Sequence, residues 1–274
     1  MKVLVVGGTG HAGKFLCDIL KQRGHEVVIA SRGKTEVQSG FRSIVCDSSN
    51  IDSMLSINED FDSVAIFPGS AYTVYKALAS RVNHIVACGS LWMFGYPTIV
   101  PTPEIYFEDC WFSGYARRFN ELNIMINEHK CNVTAIMPPN FCGPGKIPLD
   151  GLGGRDVLVH KAHQRGELVY LPDGPECLIS PCDAYDIAML FALAIENPEK
   201  SKNQFFNVGA EGSITSTKFI ENYSKIYGVN IPVEYVCWDK YVKEISPSQG
   251  HWWHFYAQMC PDISKAKNLL GFKA

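Results

Sequence analysis

The feature that most constrains this chain is a glycine-rich turn between an apolar strand and a helical pattern. The turn reads VVGGTGHAG over residues 5–13, with glycines at a spacing of three. In such a turn the first glycine permits a tight bend, the second lets the backbone approach a pyrophosphate, and the third lets helix and strand pack closely. The helix start also offers free N–H groups to a phosphate. A turn without a ligand is the alternative, but this context favours a dinucleotide-binding loop formed by Gly7, Thr9, Gly10, His11, Ala12 and Gly13.

Short β-branched segments alternate with helical patterns through the first 145 residues. Strands are predicted at 2–6, 26–30, 43–46, 63–67, 84–88 and 132–137, and helices at 13–23, 71–80 and 117–130. Apolar strands at this spacing predict a parallel sheet with helices on both faces. The expected fold class is α/β, a Rossmann-type doubly wound parallel sheet with a smaller C-terminal substrate lobe.

The pattern changes after Pro144, where a loop-like segment leads into shorter elements. Further helices are predicted at 184–196 and 217–227. We expect residues 1–145 to form the dinucleotide-binding core and residues 146–274 to form mainly the smaller lobe, with some later segments returning to the core. A cleft between two such parts is the default place for a substrate.

The end of the second strand bears on the choice of cofactor. A carboxylate at this point would bind the ribose 2′-hydroxyl of NAD and repel a 2′-phosphate. The sequence here is Ser31-Arg32-Gly33-Lys34, with a hydroxyl and two cations instead. This favours NADP as the cofactor, with NAD as the alternative. The competing interpretation is that the two cations are only solvated loop charges.

Two further strand ends are candidates for the same site. Asp47 follows the third strand, where its carboxylate can accept a hydrogen bond from the adenine amino group or cap the next turn. The fourth strand ends where the backbone can pass close to the cofactor, at Phe67, Pro68 and Gly69.

Charge and cysteine usage disfavour several classes of partner. The net charge is −3, from 25 Lys and Arg against 28 Asp and Glu, which gives no general attraction to nucleic acid or anionic membranes. The ten cysteines include no CxxC pair, so we expect reduced thiols and no metal site. No signal-peptide pattern or long apolar run is present, and a cytoplasmic location is expected. The expected partner is a small-molecule substrate, and the oligomeric state is left open, with a homodimer as one option.

Several later segments, taken together, resemble the extended short-chain dehydrogenase/reductase superfamily and its NAD-dependent epimerase/dehydratase group. CGSLWMFG at 88–95 is similar to the family's SSxxxYG segment, and PPNFCGP at 138–144 is similar to RPxNxYGP. Segments 186–188, 206–209 and 262–272 also match. The short stretch 71–82 and the sequence SRGKT at 31–35 look more like the atypical branch, which holds the chloroplast stem-loop RNA-binding proteins and their bacterial relatives. The resemblance adds Pro138 and Asn140 to the cofactor site.

The resemblance implies hydride transfer between a nicotinamide and a substrate carbon. In the family a serine or threonine holds the substrate oxygen, a tyrosine moves its proton, and a lysine four residues later binds the nicotinamide ribose and lowers the tyrosine pKa. Ser90 matches the serine, and Tyr115 follows it at the family's spacing of 25 residues. Phe119 stands at the position of the lysine, whereas Arg118 lies on roughly the same helical face as Tyr115 and can supply charge. The expected catalytic set is Ser90, Tyr115 and Arg118.

Two alternatives to this set remain open. A shifted alignment puts Ser113 at the tyrosine position and Arg117 at the lysine position, and Tyr115 can also be a packing aromatic at the cleft. Without the lysine, the tyrosine should act mainly as a proton donor, because a tyrosine hydroxyl is ordinarily neutral at about pH 7.

The sequence also bears on the substrate. Ile179 stands seven residues before Asp186, where the family's sugar-nucleotide enzymes carry an arginine that binds the substrate diphosphate. This argues against a nucleotide-diphosphate sugar, and a more apolar pocket is expected, walled by residues drawn from Trp92, Phe94, Phe141, Cys142 and Ile179, some of which core packing can equally claim.

We therefore expect an NAD(P)-dependent oxidoreductase or epimerase/dehydratase-like enzyme acting on a small hydroxyl- or carbonyl-bearing substrate. The alternatives are a catalytically degenerate NAD(P)-binding sensor or scaffold, and an RNA-binding protein of the stem-loop-binding type. RNA binding would need a basic face with exposed aromatics, which the acidic balance of the chain disfavours.

Overall fold

A computed structural model describes residues 1–67, 69–107, 112–246 and 252–274. The strands are β1 Lys2–Val6, β2 Glu26–Ser31, β3 Arg42–Val45, β4 Ser63–Ile66, β5 His84–Cys88, β6 Asn132–Met137, β7 Asn140–Cys142, β8 Val169–Pro172, β9 Leu178–Ile179, β10 Pro181–Asp183, β11 Gln204–Asn207, β12 Ile214–Thr215 and β13 Val233–Val236. The α-helices are α1 His11–Gln22, α2 Ile51–Leu55, α3 Ala71–Leu78, α4 Ser113–Glu128, α5 Val157–Gln164, α6 Ala184–Glu196, α7 Pro198–Ser201, α8 Ser216–Tyr227, α9 Trp238–Lys240 and α10 Ser264–Leu270. The described residues also include a 3₁₀ turn at Leu91–Phe94, a π-helical turn at Tyr241–Ile245 and a 3₁₀ turn at Trp252–Phe255.

Seven parallel strands form the central sheet, in the order β11-β6-β5-β4-β1-β2-β3. The central strands are apolar along almost their whole length, as is typical of a sheet covered on both faces. Successive side chains of β1 alternate between two hydrophobic cores: Leu4 and Val6 pack on the side of α3 and α4, whereas Val3 and Val5 pack on the side of α1 and α6. The predicted Rossmann-type α/β class is confirmed.

The chain after β6 contributes to two places. Helix α6 packs against α1, and β11 pairs with β6 at the edge of the main sheet. A third core gathers β8, α8 and the turns around them, with Leu171, Ile220 and Tyr223 among its buried members. The division into residues 1–145 and 146–274 stays a prediction.

Most predicted elements differ from the observed ones by one or two residues at their ends. Helix α4 differs more, because it begins at Ser113 rather than at residue 117. Gly114 in its first turn has low helix propensity, which hid that turn in the sequence pattern. The helix ends after Glu128 because His129 adopts a left-handed conformation, with φ of 54°.

Candidate functional site

The glycine loop between β1 and α1 depends on close backbone contacts that only glycine permits. Gly7 has φ of +86°, and its N–H donates to the carbonyl of Ala30 at 3.1 Å. The N–H of Gly10 donates to the carbonyl of Gly7 at 2.9 Å, which closes the turn. A Cβ on Gly13 would stand 2.3 Å from that same carbonyl oxygen, and one on Gly7 would stand 3.1 Å from the Cβ of Phe67. The loop therefore has the tight backbone shape that a dinucleotide phosphate requires.

A cavity of about 300 Å³ lies beside this loop, at the carboxyl ends of β1 to β4. Neighbouring parallel strands end at the same sheet edge, so residues distant in the sequence meet there. The structure brings to this cavity seven of the predicted cofactor residues: Gly7, Thr9, Ser31, Arg32, Asp47, Phe67 and Gly69. Pro68 lies outside the described residues.

The polar rim of this cavity carries side chains of both charge signs, Arg32 and Asp47. The Asp47 carboxylate accepts hydrogen bonds from the N–H of Ser49 at 3.0 Å and from its hydroxyl at 2.7 Å. These two bonds, and then the positive charges of Arg32 and Lys34, lower the pKa of Asp47. The carboxylate thus caps the turn and lines the cavity at once, so both of its predicted roles are compatible with this geometry.

The remaining loop residues lie around the start of α1. The His11 ring contacts the carbonyl oxygen of Gly145 at 2.8 Å through Nε2, which ties the loop to the segment after β7. The side chain of Ala12 is buried against the main sheet. Backbone N–H groups in the first turn of a helix have no partner within the helix, so residues 11–13 can offer donors even though these side chains point elsewhere.

A second cavity, of about 550 Å³, lies at the carboxyl ends of β5 and β6. It brings together the remaining predicted residues: Ser90, Tyr115, Arg118, Pro138 and Asn140. Ser90 follows β5, Pro138 and Asn140 follow β6, and the other two project from the first turns of α4. Ser90 and Tyr115 thus line one cavity although 25 residues separate them.

Helix α4 directs neighbouring side chains to different places. The Arg118 guanidinium carbon lies 6.0 Å from the centroid of the Tyr115 ring, close enough for a cation–π contact. Phe119 is buried in the core, where its ring stacks on Phe205 with centroids 5.4 Å apart. The residue at the family's lysine position therefore packs inside the protein, and the charge near Tyr115 comes from its neighbour.

The shifted alignment gives a different picture of the same helix. The Arg117 side chain is 74% exposed, with a nitrogen 3.9 Å from the carboxylate of Glu121, and Ser113 is exposed. Among the residues found to line the second cavity, Tyr115 and Arg118 are present and Ser113 and Arg117 are not.

Only some of the expected apolar walls line the second cavity. Trp92 and Phe141 do so, and the Trp92 ring meets the His254 ring edge to face with centroids 5.5 Å apart. Phe94 and Ile179 are buried in two separate cores, so the expectation that they form walls is wrong for both. The turn that carries Phe94 and the strand that carries Ile179 direct these side chains into the cores, and a pattern of apolar residues in the sequence does not show that direction.

Cys142 lines a separate, adjoining apolar cavity of about 230 Å³. This cavity shares Phe141 and Arg155 with the larger one.

Three polar side chains of this cavity were not among the predicted site residues: Lys146, Arg155 and His254. The first two lie in the segment 143–155, which lacks periodicity and gives no local signal. His254 lies in the aromatic run at 251–256, for which the sequence favours core packing over a place in the pocket. Its Nδ1 is 3.3 Å from the side-chain nitrogen of Asn140.

Cys88 also lines the second cavity, but burial raises the pKa of its thiol to about 12. The thiol is therefore protonated near neutral pH and is not a nucleophile. Within the described residues, no cluster of His, Cys, Asp and Glu side chains has an arrangement fit for a metal ion. No helix in that part of the chain combines the length and the apolar character needed to span a membrane.

Comparison with known proteins supports this reading of the fold. Residues 3–81 match the model of the NAD dependent epimerase/dehydratase family. The UDP-glucose 4-epimerase of Thermotoga maritima, solved with UDP-glucose, is similar in structure with a TM-score of 0.76 and 18% identity, over 100% of this chain and 93% of that one. A UDP-glucose-4-epimerase from Stenotrophomonas maltophila, solved with NAD and formylated UDP-arabinopyranose, gives the same values.

The UDP-N-acetylglucosamine 4-epimerase of Bacillus cereus is also similar, with a TM-score of 0.71 and 17% identity over 100% of this chain and 91% of that one. No curated protein matches the sequence significantly. Placement in the atypical branch stays a prediction. The match of residues 3–81 agrees with the predicted resemblance to the NAD-dependent epimerase/dehydratase group, and the whole chain shares its fold with these epimerase structures.

Proposed function

We propose that this chain is an NAD(P)-dependent oxidoreductase or epimerase/dehydratase-like enzyme that acts on a small hydroxyl- or carbonyl-bearing substrate. The observation that carries the proposal is the pairing of two cavities along one edge of the sheet. One lies beside the glycine loop, and the other is lined by both Ser90 and Tyr115. A dinucleotide laid along this edge would have its phosphates at the loop and its reactive end beside the two hydroxyls.

Each of the three predicted catalytic side chains in the second cavity has a role in this proposal. A bound nicotinamide supplies or accepts the hydride. The Ser90 hydroxyl holds the substrate oxygen, and the Tyr115 hydroxyl donates a proton to it as a general acid. The Arg118 guanidinium stabilises negative charge that develops on that oxygen. This set supports reduction of a carbonyl better than oxidation of an alcohol, which needs a base.

NADP is the proposed cofactor. Ser31 and Arg32 line the glycine-loop cavity, and Lys34 acts electrostatically on Asp47 at its rim. Two cations near the expected ribose position favour a 2′-phosphate, while the nearby Asp47 carboxylate opposes it. NAD, the cofactor seen in the Stenotrophomonas structure, is the alternative.

A small substrate is favoured over a nucleotide sugar. The second cavity, at about 550 Å³, must hold the nicotinamide end of the cofactor as well as the substrate. Ile179, at the position of the diphosphate-binding arginine of the sugar-nucleotide enzymes, is buried in the core of the smaller lobe.

The proposal is tested first by binding and then by turnover. Calorimetry with NADPH and NADH should detect cofactor binding. A panel of small carbonyl compounds is then screened for oxidation of the bound cofactor. For any active compound, Tyr115→Phe should lower kcat by roughly 10²–10⁴-fold, as expected for loss of a general acid.

Tyr185→Phe is the matched control, because Tyr185 is exposed and packs edge to face on Phe15 away from both cavities. Equal turnover by the Tyr115 and Tyr185 variants would refute the acid role. Cofactor binding without turnover on any compound would favour the sensor or scaffold function, and absence of cofactor binding would refute the proposal.

A further inference from the structure

We infer that the second cavity binds an anionic group of the substrate, a carboxylate or a phosphate, between Lys146 and Arg155. This inference rests on the proposed function for its claim that the anion belongs to a substrate. It goes beyond that function by assigning two cations to recognition of substrate charge.

Phe141 holds both cations at the cavity. The Lys146 ammonium lies 4.0 Å from the centroid of the Phe141 ring, as in a cation–π contact. The Arg155 guanidinium donates from Nη2 to the Phe141 carbonyl at 2.9 Å and from Nη1 to the Ile147 carbonyl at 2.6 Å. Two of the five N–H donors of the guanidinium are used in this way, and the planar group is thereby fixed in orientation.

The charges that line this cavity are unbalanced. Arg118, Lys146 and Arg155 contribute three cations, and no Asp or Glu is found among the described residues of the lining. None of the ion pairs identified in the described part of the chain involves these three side chains. A cluster of one sign in a partly enclosed cleft attracts ligands of the other sign.

Among the described residues, the carboxylate that acts electrostatically on Arg155 is that of Asp150, whose oxygens already accept hydrogen bonds. Asp150 influences Arg155 electrostatically, but its Oδ1 accepts from the N–H groups of Leu152 and Gly154, both at 2.9 Å. Its Oδ2 accepts from the N–H of Asp156 at 3.0 Å. These bonds hold the Asp150 carboxylate in the loop 150–156, and it forms none of the ion pairs identified among the described residues.

The free site carries a cost that an anion would relieve. Burial first, and then repulsion by Arg155, lowers the pKa of Lys146. Both cations contact Phe141, so two like charges share one half-buried place, which is unfavourable until an opposite charge enters. An anion bound there would make charge-assisted hydrogen bonds with both side chains.

The substrate chemistry follows from this arrangement. The reacting oxygen lies at Ser90 and Tyr115, and an acidic group lies at Lys146 and Arg155, within one cavity of about 550 Å³. Such a ligand is a small oxo or hydroxy acid, or a small phosphate ester with a carbonyl or hydroxyl carbon.

The test uses the whole chain saturated with NADPH, so that the dinucleotide cavity is filled. Inorganic phosphate and malonate are titrated separately by calorimetry, at low ionic strength and again at high ionic strength. We expect at least one anion to bind, with affinity that falls as salt is added. Lys146→Met should weaken it roughly tenfold to hundredfold, as for loss of a charge-assisted contact.

Arg117→Met is the matched control, because this exposed cation lies on α4 beside Arg118 but outside the cavity lining. Arg155→Met should weaken binding as Lys146→Met does. The loss of two carbonyl contacts could unfold the Arg155→Met protein. Arg155→Lys is therefore the second variant, because it keeps the positive charge.

Each outcome decides the inference. Binding of phosphate alone indicates a phosphate ester, and binding of malonate alone indicates an acid. Failure of both anions to bind the NADPH-saturated protein overturns the inference and leaves the proposed function intact, as does equal binding by the Lys146 and Arg117 variants. If no dinucleotide binds, the proposed function falls. The anion is then titrated on the free protein, where loss of binding in Arg32→Ala but not in Lys146→Met overturns the inference.

Discussion

Gly13→Ala is the sharpest test of the glycine loop, because the structure gives the contact that an added methyl group would make. The new Cβ would lie 2.3 Å from the Gly7 carbonyl oxygen and 2.9 Å from the Gly8 Cα. Both neighbours are backbone atoms of the loop, so α1 or the turn must move. Overpacking of this kind costs about 1–3 kcal/mol, and alanine regains about 0.5–1 kcal/mol through its better helix propensity.

Gly114→Ala is the control, because a Cβ there meets no atom of the described residues within 4 Å and the residue also lies in a helix. It should raise the free energy of unfolding by about 0.5–1 kcal/mol, so the two variants should differ by about 2 kcal/mol. For a domain of this size the difference corresponds to roughly 4–8 °C in Tm. The assay is urea unfolding followed by tryptophan fluorescence.

The same displacement should also harm ligand binding. If the turn shifts by a few tenths of an ångström, at least one hydrogen bond to the cofactor phosphate is lost, which weakens affinity about tenfold or more. Calorimetry with NADPH measures this directly. A Gly13→Ala protein that is as stable as the wild type and binds the cofactor equally well would refute the close-packing argument.

Three further predictions follow from other parts of the structure. Arg32→Ala should weaken NADPH binding by about 1.5–3 kcal/mol and leave NADH binding nearly unchanged, with Arg42→Ala as a control. Tighter binding of NADH than of NADPH by the wild-type protein would contradict the preference for NADP. Burial lowers the pKa of His84 to about 4 from an ordinary value near 6.5. The unfolded chain therefore binds the proton more readily than the folded one. The free energy of unfolding should fall by about 3 kcal/mol as the pH drops from 6.5 to about 4. Urea titrations at several pH values measure this dependence, and His84→Gln should lose it. UDP-glucose should not raise the Tm of the cofactor-loaded protein, because Ile179 is buried where a diphosphate-binding arginine would be needed; a saturating shift would show that other cations hold the diphosphate.

The sequence was a good guide wherever the signal was local. The glycine spacing at residues 7–13 and the six apolar runs of the first half depend on contacts within a few residues, and the predicted strands agree with β1 to β6 to within one residue at each end. The carboxyl ends of parallel strands all lie at one edge of the sheet, so the sequence alone could assign the positions after β1 to β5 to a common site.

Helix register and side-chain direction were decided by tertiary packing. The sequence favoured the alignment through Tyr115 and left a shifted one open, and the structure turns Tyr115 and Arg118 to the cavity and Phe119 to the core. The choice depends on the aromatic partners of Phe119, of which Phe205 comes from a strand 86 residues further along the chain. A local pattern carries no information about such a partner.

The charge of the second cavity was likewise decided by the fold alone. The sequence indicated an apolar pocket, because its recognisable segments carry Trp92, Phe141 and Ile179 at the expected wall positions. Lys146 and Arg155 come from a segment without periodicity. The Phe141 ring holds Lys146 at the cavity, and two backbone carbonyl oxygens hold Arg155 there. Local propensity therefore determined the strands, helices and glycine loop, whereas long-range contacts between loops determined which side chains meet, because that pairing depends on the packing of the whole chain.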